Sequence, residues 1–359
     1  MKILTIISLK YSPGLLKEMI ALSNAAQLDG YEVNLLLNRK YYWLIEEAKF
    51  DHKKVFTYSN FLGLINCLRK ISIDTSSKII FYNFHPYNIL LKFFKRPINT
   101  YVYVHEPWMP DKYKYGYKRL IMVSILEKIQ KVYTLLLSDR IVVPSKHASE
   151  KASIFGMTKK DSNIQICPLM IDIEEISALR ENYFLFIGRL HGAKSFESLL
   201  TTLKHESKIN IKVLTTSKIP KNIFKQYSNE IKEGRLKIIY EESLSEDIIQ
   251  SSIKKSSGVF KLDTLMTQSG VVPLSFGLST PVIARNIKGF AQDIDHKING
   301  YLIENDDVVS IIEATEFVSK NINTIGGNAR LKYEEKFSTS AWSKSWGKVL
   351  DNEESRFNV

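Results

Sequence analysis

The chain has 359 residues, 44% of them hydrophobic and 25% charged, with a formal net charge of +12. That length accommodates two domains of ordinary size, each with its own core, and two cysteines, Cys67 and Cys167, exclude a disulfide-built scaffold and point to a reducing compartment. No run reaches the roughly 18 apolar residues of a membrane span, so any membrane contact is peripheral. The charge is uneven: up to Ile173 there are 25 Lys and Arg against 14 Asp and Glu, and the remainder is nearly balanced. A basic half attracts a polyphosphate substrate, an anionic lipid surface or nucleic acid.

The apolar run Lys2–Ser8 is short and leads into Tyr11-Ser12-Pro13-Gly14 without a small-residue cleavage site, so it reads as a first buried strand and not a signal peptide. The helical spacing of Leu15–Leu28 follows directly. A strand-to-helix turn with glycine at the helix start offers backbone N–H groups to an anion, which makes Gly14 a candidate. Gly30–Leu37 reads as the next strand, residues 49–75 as helical and polar by turns, and Lys78–Asn83 as another strand. Tyr87–Arg96 mixes apolar and aromatic residues with three cations; such a segment either lies on an anionic membrane or packs on the sheet with a solvated basic edge. Asn99–Val104 is a strand that ends in His105 and Glu106. In open α/β sheets ligands sit beyond the carboxyl ends of strands, so this pair is a candidate ligand site, open to a catalytic role. Tyr113–Arg119 interleaves aromatics and cations at the start of a long helix ending near Leu137, and reads as the flank of a cleft.

In the second half, the strand-like run Tyr183–Ile187 stops at Gly188, Arg189 and Lys194 follow five residues apart, and Phe196–Leu203 has helical spacing. Backbone N–H groups, the helix dipole and two fixed cations converge there on an anion. Strands and helices alternate again through Ile211–Leu214, Leu236–Tyr240, Gly258–Leu262 and Pro281–Ala284. The alternation in both halves predicts an α/β chain of two Rossmann-like doubly wound domains facing across a cleft. The expected bounds are 1–175 and 176–340, with 341–359 a C-terminal helix crossing back to the first domain.

Gly188-Arg189-Leu190 with Lys194 resembles the element that opens the second domain of GT-B glycosyltransferases, particularly the family 4 group. Ser269–Ala284 is similar to that family's nucleotide loop, helix and following strand, Asn299–Ile303 to its Asn-Gly-x-Leu-Val element, and Asn328-Ala329-Arg330 with Phe337, Ser338 and Trp342 to its closing segment. The matches run in family order from about Met1 to Trp346. The resemblance implies a hexosyltransferase that takes a nucleotide-sugar co-substrate, a UDP-sugar, with no cofactor and no metal. Gly14, Arg189, Lys194, Ser269, Gly270 and Val271 would bind the donor diphosphate, His105 would approach the donor sugar, and Glu106 would lie near the acceptor. The acceptor it implies is a growing lipid-diphosphate-linked glycan of lipopolysaccharide or capsule type. The protein would then be cytoplasmic and peripheral on the inner face of the membrane, held through its basic N-terminal half, with no nucleic acid as partner.

The sequence departs from that family at its paired glutamates, whose positions hold Met266 and Leu274. Neither side chain accepts the hydrogen bonds that the ribose hydroxyls need. Thr267 and Gln268 offer polar groups beside Gly270 for sugar or nucleotide, and the amides of Ser269 to Val272 offer an anion nest. Glu241 and Glu242, at a strand end, are candidate replacements or a solvated turn. Asp293 and Asp295 have the spacing of a metal-binding carboxylate pair, but their place in the matching segment favours a loop. Whether the reaction retains or inverts is open. The alternatives are a nucleotide-sugar epimerase of the same fold and a non-catalytic basic protein binding nucleic acid or glycan.

Overall fold

The computed structural model describes residues 2–47, 54–71, 77–82, 85–89, 99–107, 117–157, 164–173, 178–188, 190, 193–264 and 266–351. Two parallel sheets organise it. The first holds β1 (Lys2–Ser8), β2 (Tyr31–Asn38), β3 (Val55–Tyr58), β4 (Lys78–Phe81), β5 (Asn99–Tyr103), β6 (Arg140–Val143) and β7 (Gln165–Ile166), in the spatial order β3-β2-β1-β4-β5-β6-β7. The second holds β8 (Phe184–Ile187), β9 (Ile211–Thr215), β10 (Leu236–Tyr240), β11 (Gly258–Lys261), β12 (Val282–Arg285) and β13 (Gly300–Ile303), in the order β10-β9-β8-β11-β12-β13.

Both faces of each sheet are covered, which is why the strands are continuously apolar. In β1, Leu4 and Ile6 join the core under the helix Leu16–Leu28, whereas Ile7 joins the core on the other face with Leu64 and Ala148. A third core fills the second domain around Phe186, Phe260 and Ile283. Helix starts are set by side chains that accept the first orphan N–H groups: Asn60 from Gly63, Ser145 from Ala148 and Asp307 from Ser310. The sequence reading misses β3, a four-residue, half-buried edge strand too short to show alternation inside the stretch expected to be helical.

By contacts along the chain, one compact unit is built from the residues up to Asp172 together with those from Phe337 onward, and the other from Ile173–Lys336. The last described segment is tied into the first unit by specific contacts. The Trp342 Nε1–H donates to Asp29 Oδ2 at 3.0 Å, and Asp351 accepts from Tyr31 Oη at 2.7 Å and from Lys2 Nζ at 3.0 Å. Trp346 is fully buried, its ring 5.6 Å from that of Tyr103 at the end of β5.

Trp346→Ala is expected to cost about 3–5 kcal/mol, the usual range for emptying a fully buried aromatic site. Leu331→Ala, on an exposed helical surface of the second unit, is expected to change stability by less than about 0.5 kcal/mol. Urea unfolding of the two variants checks both.

Candidate active site

In a doubly wound sheet the crevice for a ligand opens where successive connections leave in opposite directions. In the second sheet that point lies between β8, which leads outward to β9, and its other neighbour β11. β8 ends at Gly188, whose φ of +141° is open to glycine and strained for any residue with a Cβ. Phe186 pairs with Phe260, so the ends of the two strands lie side by side. Lys261, the last residue of β11, has a side chain only 9% exposed, and its ammonium pairs with Asp263 Oδ2 at 2.8 Å. The same ammonium is 3.7 Å from where a Cβ on residue 188 would lie. Gly188, Leu190, Ser195, Lys261 and Asp263 line a depression walled by Phe186 and Phe196. The turn is pinned from the side: the Leu190 N–H donates to Ser217 Oγ at 3.1 Å, and the Ser217 N–H to Thr215 Oγ1, at the end of β9, at 3.0 Å.

Lys261 is the residue that sequence reasoning missed here. Its signal was a lysine closing the apolar run Gly258-Val259-Phe260, with a carboxylate two residues on. Arg189 lies outside the described residues. The backbone of Lys194 belongs to the helix Ala193–His205, while its side chain lies outside what is described.

The loop before the helix Val271–Gly277 is buried: Thr267, Gln268 and Ser269 are all nearly inaccessible. It is pressed against Gly289, where a Cβ would come within 2.0 Å of the Met266 carbonyl oxygen, and Gln292 Nε2 donates to the Thr267 carbonyl at 2.9 Å. The Gln268 Oε1 is buried with no hydrogen-bond partner among the described residues. Two amides of the expected nest are engaged by Ser269, whose Oγ accepts from the Val271 N–H and whose carbonyl accepts from the Val272 N–H, each at 3.3 Å. A Cβ at Gly270 would meet nothing within 4 Å. Of the residues standing for the missing glutamates, Leu274 is in the core and Met266 half-buried. Glu241 and Glu242 follow the edge strand β10 on the same end of the sheet, two strands and so about 10 Å from β8. Asp293 pairs with Lys336, and Asp295 with Lys332 at 3.1 Å and Asn299 at 3.2 Å, so both carboxylates tie down a loop.

In the first unit His105 and Glu106 follow β5 directly, both half-buried. Gln130 Nε2, from the helix Tyr117–Leu137, donates to the Glu106 carbonyl at 3.2 Å. The His105 ring stands edge-on to Tyr103 with centroids 6.4 Å apart, and desolvation pushes its pKa down to about 4. The imidazole is therefore neutral at pH 7, able to orient a hydroxyl but not to supply a proton as an imidazolium. Gly14 is exposed in the turn Pro13–Leu15, where a Cβ would meet nothing within 4 Å; no steric demand for glycine exists there. Of Tyr87–Arg96 only residues 87–89 are described, and of Tyr113–Arg119 residues 113–116 lie outside the described residues.

No sequence-family profile matches the chain, and no curated protein sequence does. Solved structures match its fold over nearly the whole length. HepE of Anabaena, in complex with UDP and glucose, gives a TM-score of 0.70 at 16% identity over 98% of this chain and 100% of that one. TarM of S. aureus, in complex with UDP and alpha-GlcNAc-glycerol among its ligands, gives 0.72 at 12% identity over 98% and 100%. The pneumococcal O-GlcNAc transferase GtfA, in complex with UDP and GlcNAc, gives 0.69 at 10% identity over 97% and 98%. All three are built on the GT-B architecture. The chain has the GT-B fold.

One further group was not visible in the sequence. Glu18 sits in the first turn of the helix that follows the first strand-to-helix turn of this GT-B chain, and is fully enclosed among Tyr82, just beyond β4, and Tyr103, at the end of β5. Burial raises its pKa from 4.5 to about 8; the Tyr103 and Tyr82 hydroxyls beside it act in the opposite direction without reaching good hydrogen-bond geometry. The acid is thus mainly neutral at pH 7. Unfolding exposes it to water and lets it ionise, so its contribution to stability is whole below about pH 4.5 and declines as pH rises through about 8. Glu18→Gln keeps the shape and cannot ionise. It is expected to flatten this decline, gaining on the parent by up to about 1.4 kcal/mol per pH unit between those limits. Urea midpoints of both proteins across that range measure the difference.

Proposed function

We propose that the chain is a glycosyltransferase that moves a sugar from a UDP-sugar to a hydroxyl of a growing lipid-linked glycan. The observation that carries this reading is the turn at Gly188 beside the buried Lys261, paired with the half-buried Asp263. A glycine-shaped turn at a sheet's switch point leads into a helix and carries a desolvated cation at its floor, an arrangement suited to a diphosphate. The buried, unpartnered Gln268 oxygen nearby in sequence to Ser269 is explained by a bound hydroxyl or amide. That HepE is seen with UDP and glucose and GtfA with UDP and GlcNAc supports the choice of nucleotide.

In the step proposed, the acceptor oxygen forms a bond to the anomeric carbon. The bond from that carbon to the β-phosphate oxygen breaks, and the diphosphate leaves with the electron pair. Lys261, Arg189 and Lys194 stabilise the charge that grows on it, which lowers the barrier because the gain is larger in the transition state than in the bound donor. If the reaction inverts, Glu106 receives the acceptor proton; if it retains, the proton passes to the departing phosphate and neutral His105 orients the sugar. Fixed cations replace a metal ion in this scheme.

A ligand bound only by the folded chain raises its stability, by about 2.7 kcal/mol at a hundredfold excess over Kd. Thermal unfolding with UDP, GDP, dTDP and CMP is expected to show the largest rise with UDP. Arg189→Ala, Lys194→Ala and the double variant Lys261→Met with Asp263→Asn, which leaves no buried charge unpaired, are each expected to reduce that rise at least threefold. Persistence of the full rise in all three places the diphosphate elsewhere and ends this reading.

A further inference from the structure

The helix Tyr117–Leu137 buries one side against the first unit through Glu127, Tyr133 and Leu137, with Gln130 reaching the Glu106 carbonyl from that side. Another side is left uncovered. Ile121, Ile125, Ile129, Val132 and Leu136 recur at intervals of four, four, three and four residues, which aligns them in one stripe, and together with Met122 they are 44 to 58% exposed. The outward stripe of a helix facing water is ordinarily polar, and a contiguous exposed apolar patch marks an interaction surface. Lys128, three residues after Ile125 and four before Val132, is exposed at the edge of the stripe. The helix sequence carries Lys118, Arg119, Lys128 and Lys131 against a single acid, Glu127, and that acid is buried on the other side.

We propose that this stripe docks the protein on an anionic lipid bilayer, with the helix lying in the interface plane and holding Glu106 near the membrane surface. Three observations select the bilayer as occupant. The apolar side borders the exposed Lys128 on a helix whose sequence is otherwise basic, the pairing that sits between acyl chains and anionic headgroups. From Ile121 to Leu136 the stripe runs about 22 Å on one side of the helix only, which suits lying on a membrane and not crossing it; among the described residues no helix is long and apolar enough to cross one. A second copy in the same place brings one basic helix against another, within a half-chain that already holds 25 Lys and Arg against 14 Asp and Glu. Because Gln130 joins the inner side of this helix to the residue at the end of β5, about one helix diameter separates Glu106 from the docked face. The role this gives the contact, bringing a lipid-carried hydroxyl to Glu106, rests on the transferase reading; the contact itself does not.

The test is co-sedimentation of the whole chain with vesicles of phosphatidylcholine alone and of phosphatidylcholine mixed with phosphatidylglycerol. The protein is expected to bind the mixed vesicles, more weakly as salt rises, and to leave the neutral ones. The double variant Ile125→Asp with Ile129→Asp is expected to bind the mixed vesicles at least tenfold more weakly, while keeping its melting temperature and its response to UDP, since both side chains face solvent. Loss of vesicle binding is thereby read separately from loss of the donor site. Stripe-dependent binding without any nucleotide response upholds the docking surface and removes only its catalytic role. The proposal is overturned if the parent ignores anionic vesicles or if the double variant binds them equally. It is equally overturned if light scattering shows a parent dimer that the double variant abolishes, which assigns the stripe to a second copy.

Discussion

At a φ of +141° the backbone of residue 188 occupies a region that a Cβ makes strained, and this conformation lets β8 end beside the end of β11 with the Lys261 ammonium close below. A lysine so enclosed needs a partner, because an isolated buried charge is expensive; Asp263 supplies it. At rest the floor of the depression is therefore a neutral ion pair. On the proposed transferase reading, an arriving diphosphate would compete with Asp263 for the same ammonium, and the competition would tilt toward phosphate as charge accumulates on the leaving group. Ser217 and Thr215 hold the turn from the side, and on the proposed reading Arg189 and Lys194, named by their spacing in the sequence, would add their charge there.

Much of this architecture was legible because parallel strands covered on both faces read as uninterrupted apolar runs, and because each is followed by a turn and a helical period. The runs ending at Gly188 and at His105 carried enough of that pattern to locate both candidate sites at strand ends. β3 was lost because four residues at a sheet edge, three of them half-buried, leave almost no periodic signal. Lys261 was hidden for a different reason: in a sequence, a lysine within a strand reads as a break in burial, and only the fold shows its ammonium turned back into the protein. Glu18 was hidden likewise, since a glutamate early in a helix ordinarily faces water and serves the dipole. The helix Tyr117–Leu137 gave the converse difficulty. Its apolar residues recur on several sides and the sequence does not tell which of them face water; among the described residues the side bearing Ile125 and Ile129 is exposed.

Within the first unit Glu18 connects the turn after β1 with the end of β5. It rides on the helix that follows the first strand-to-helix turn and lies against Tyr103, whose ring contacts both His105 and Trp346. A neutral carboxyl there can donate and accept among hydroxyls that have little else to bond, and buried polar groups of this sort fix side-chain positions more than they add net stability. Desolvation acts at both groups, keeping Glu18 mainly protonated and His105 unprotonated. Both effects follow from withholding water.

The contact of Trp346 with Tyr103 also bears on how the chain is made. The first unit is discontinuous, needing residues beyond Phe337 to close its core, whereas Ile173–Lys336 is one uninterrupted stretch. As synthesis proceeds from the amino end, the second unit has all its parts in hand while the first still lacks the tryptophans that seal it. A chain ending before residue 337 would thus lack the tryptophans that meet Tyr103 and Asp29, even though it carried every strand of the second sheet.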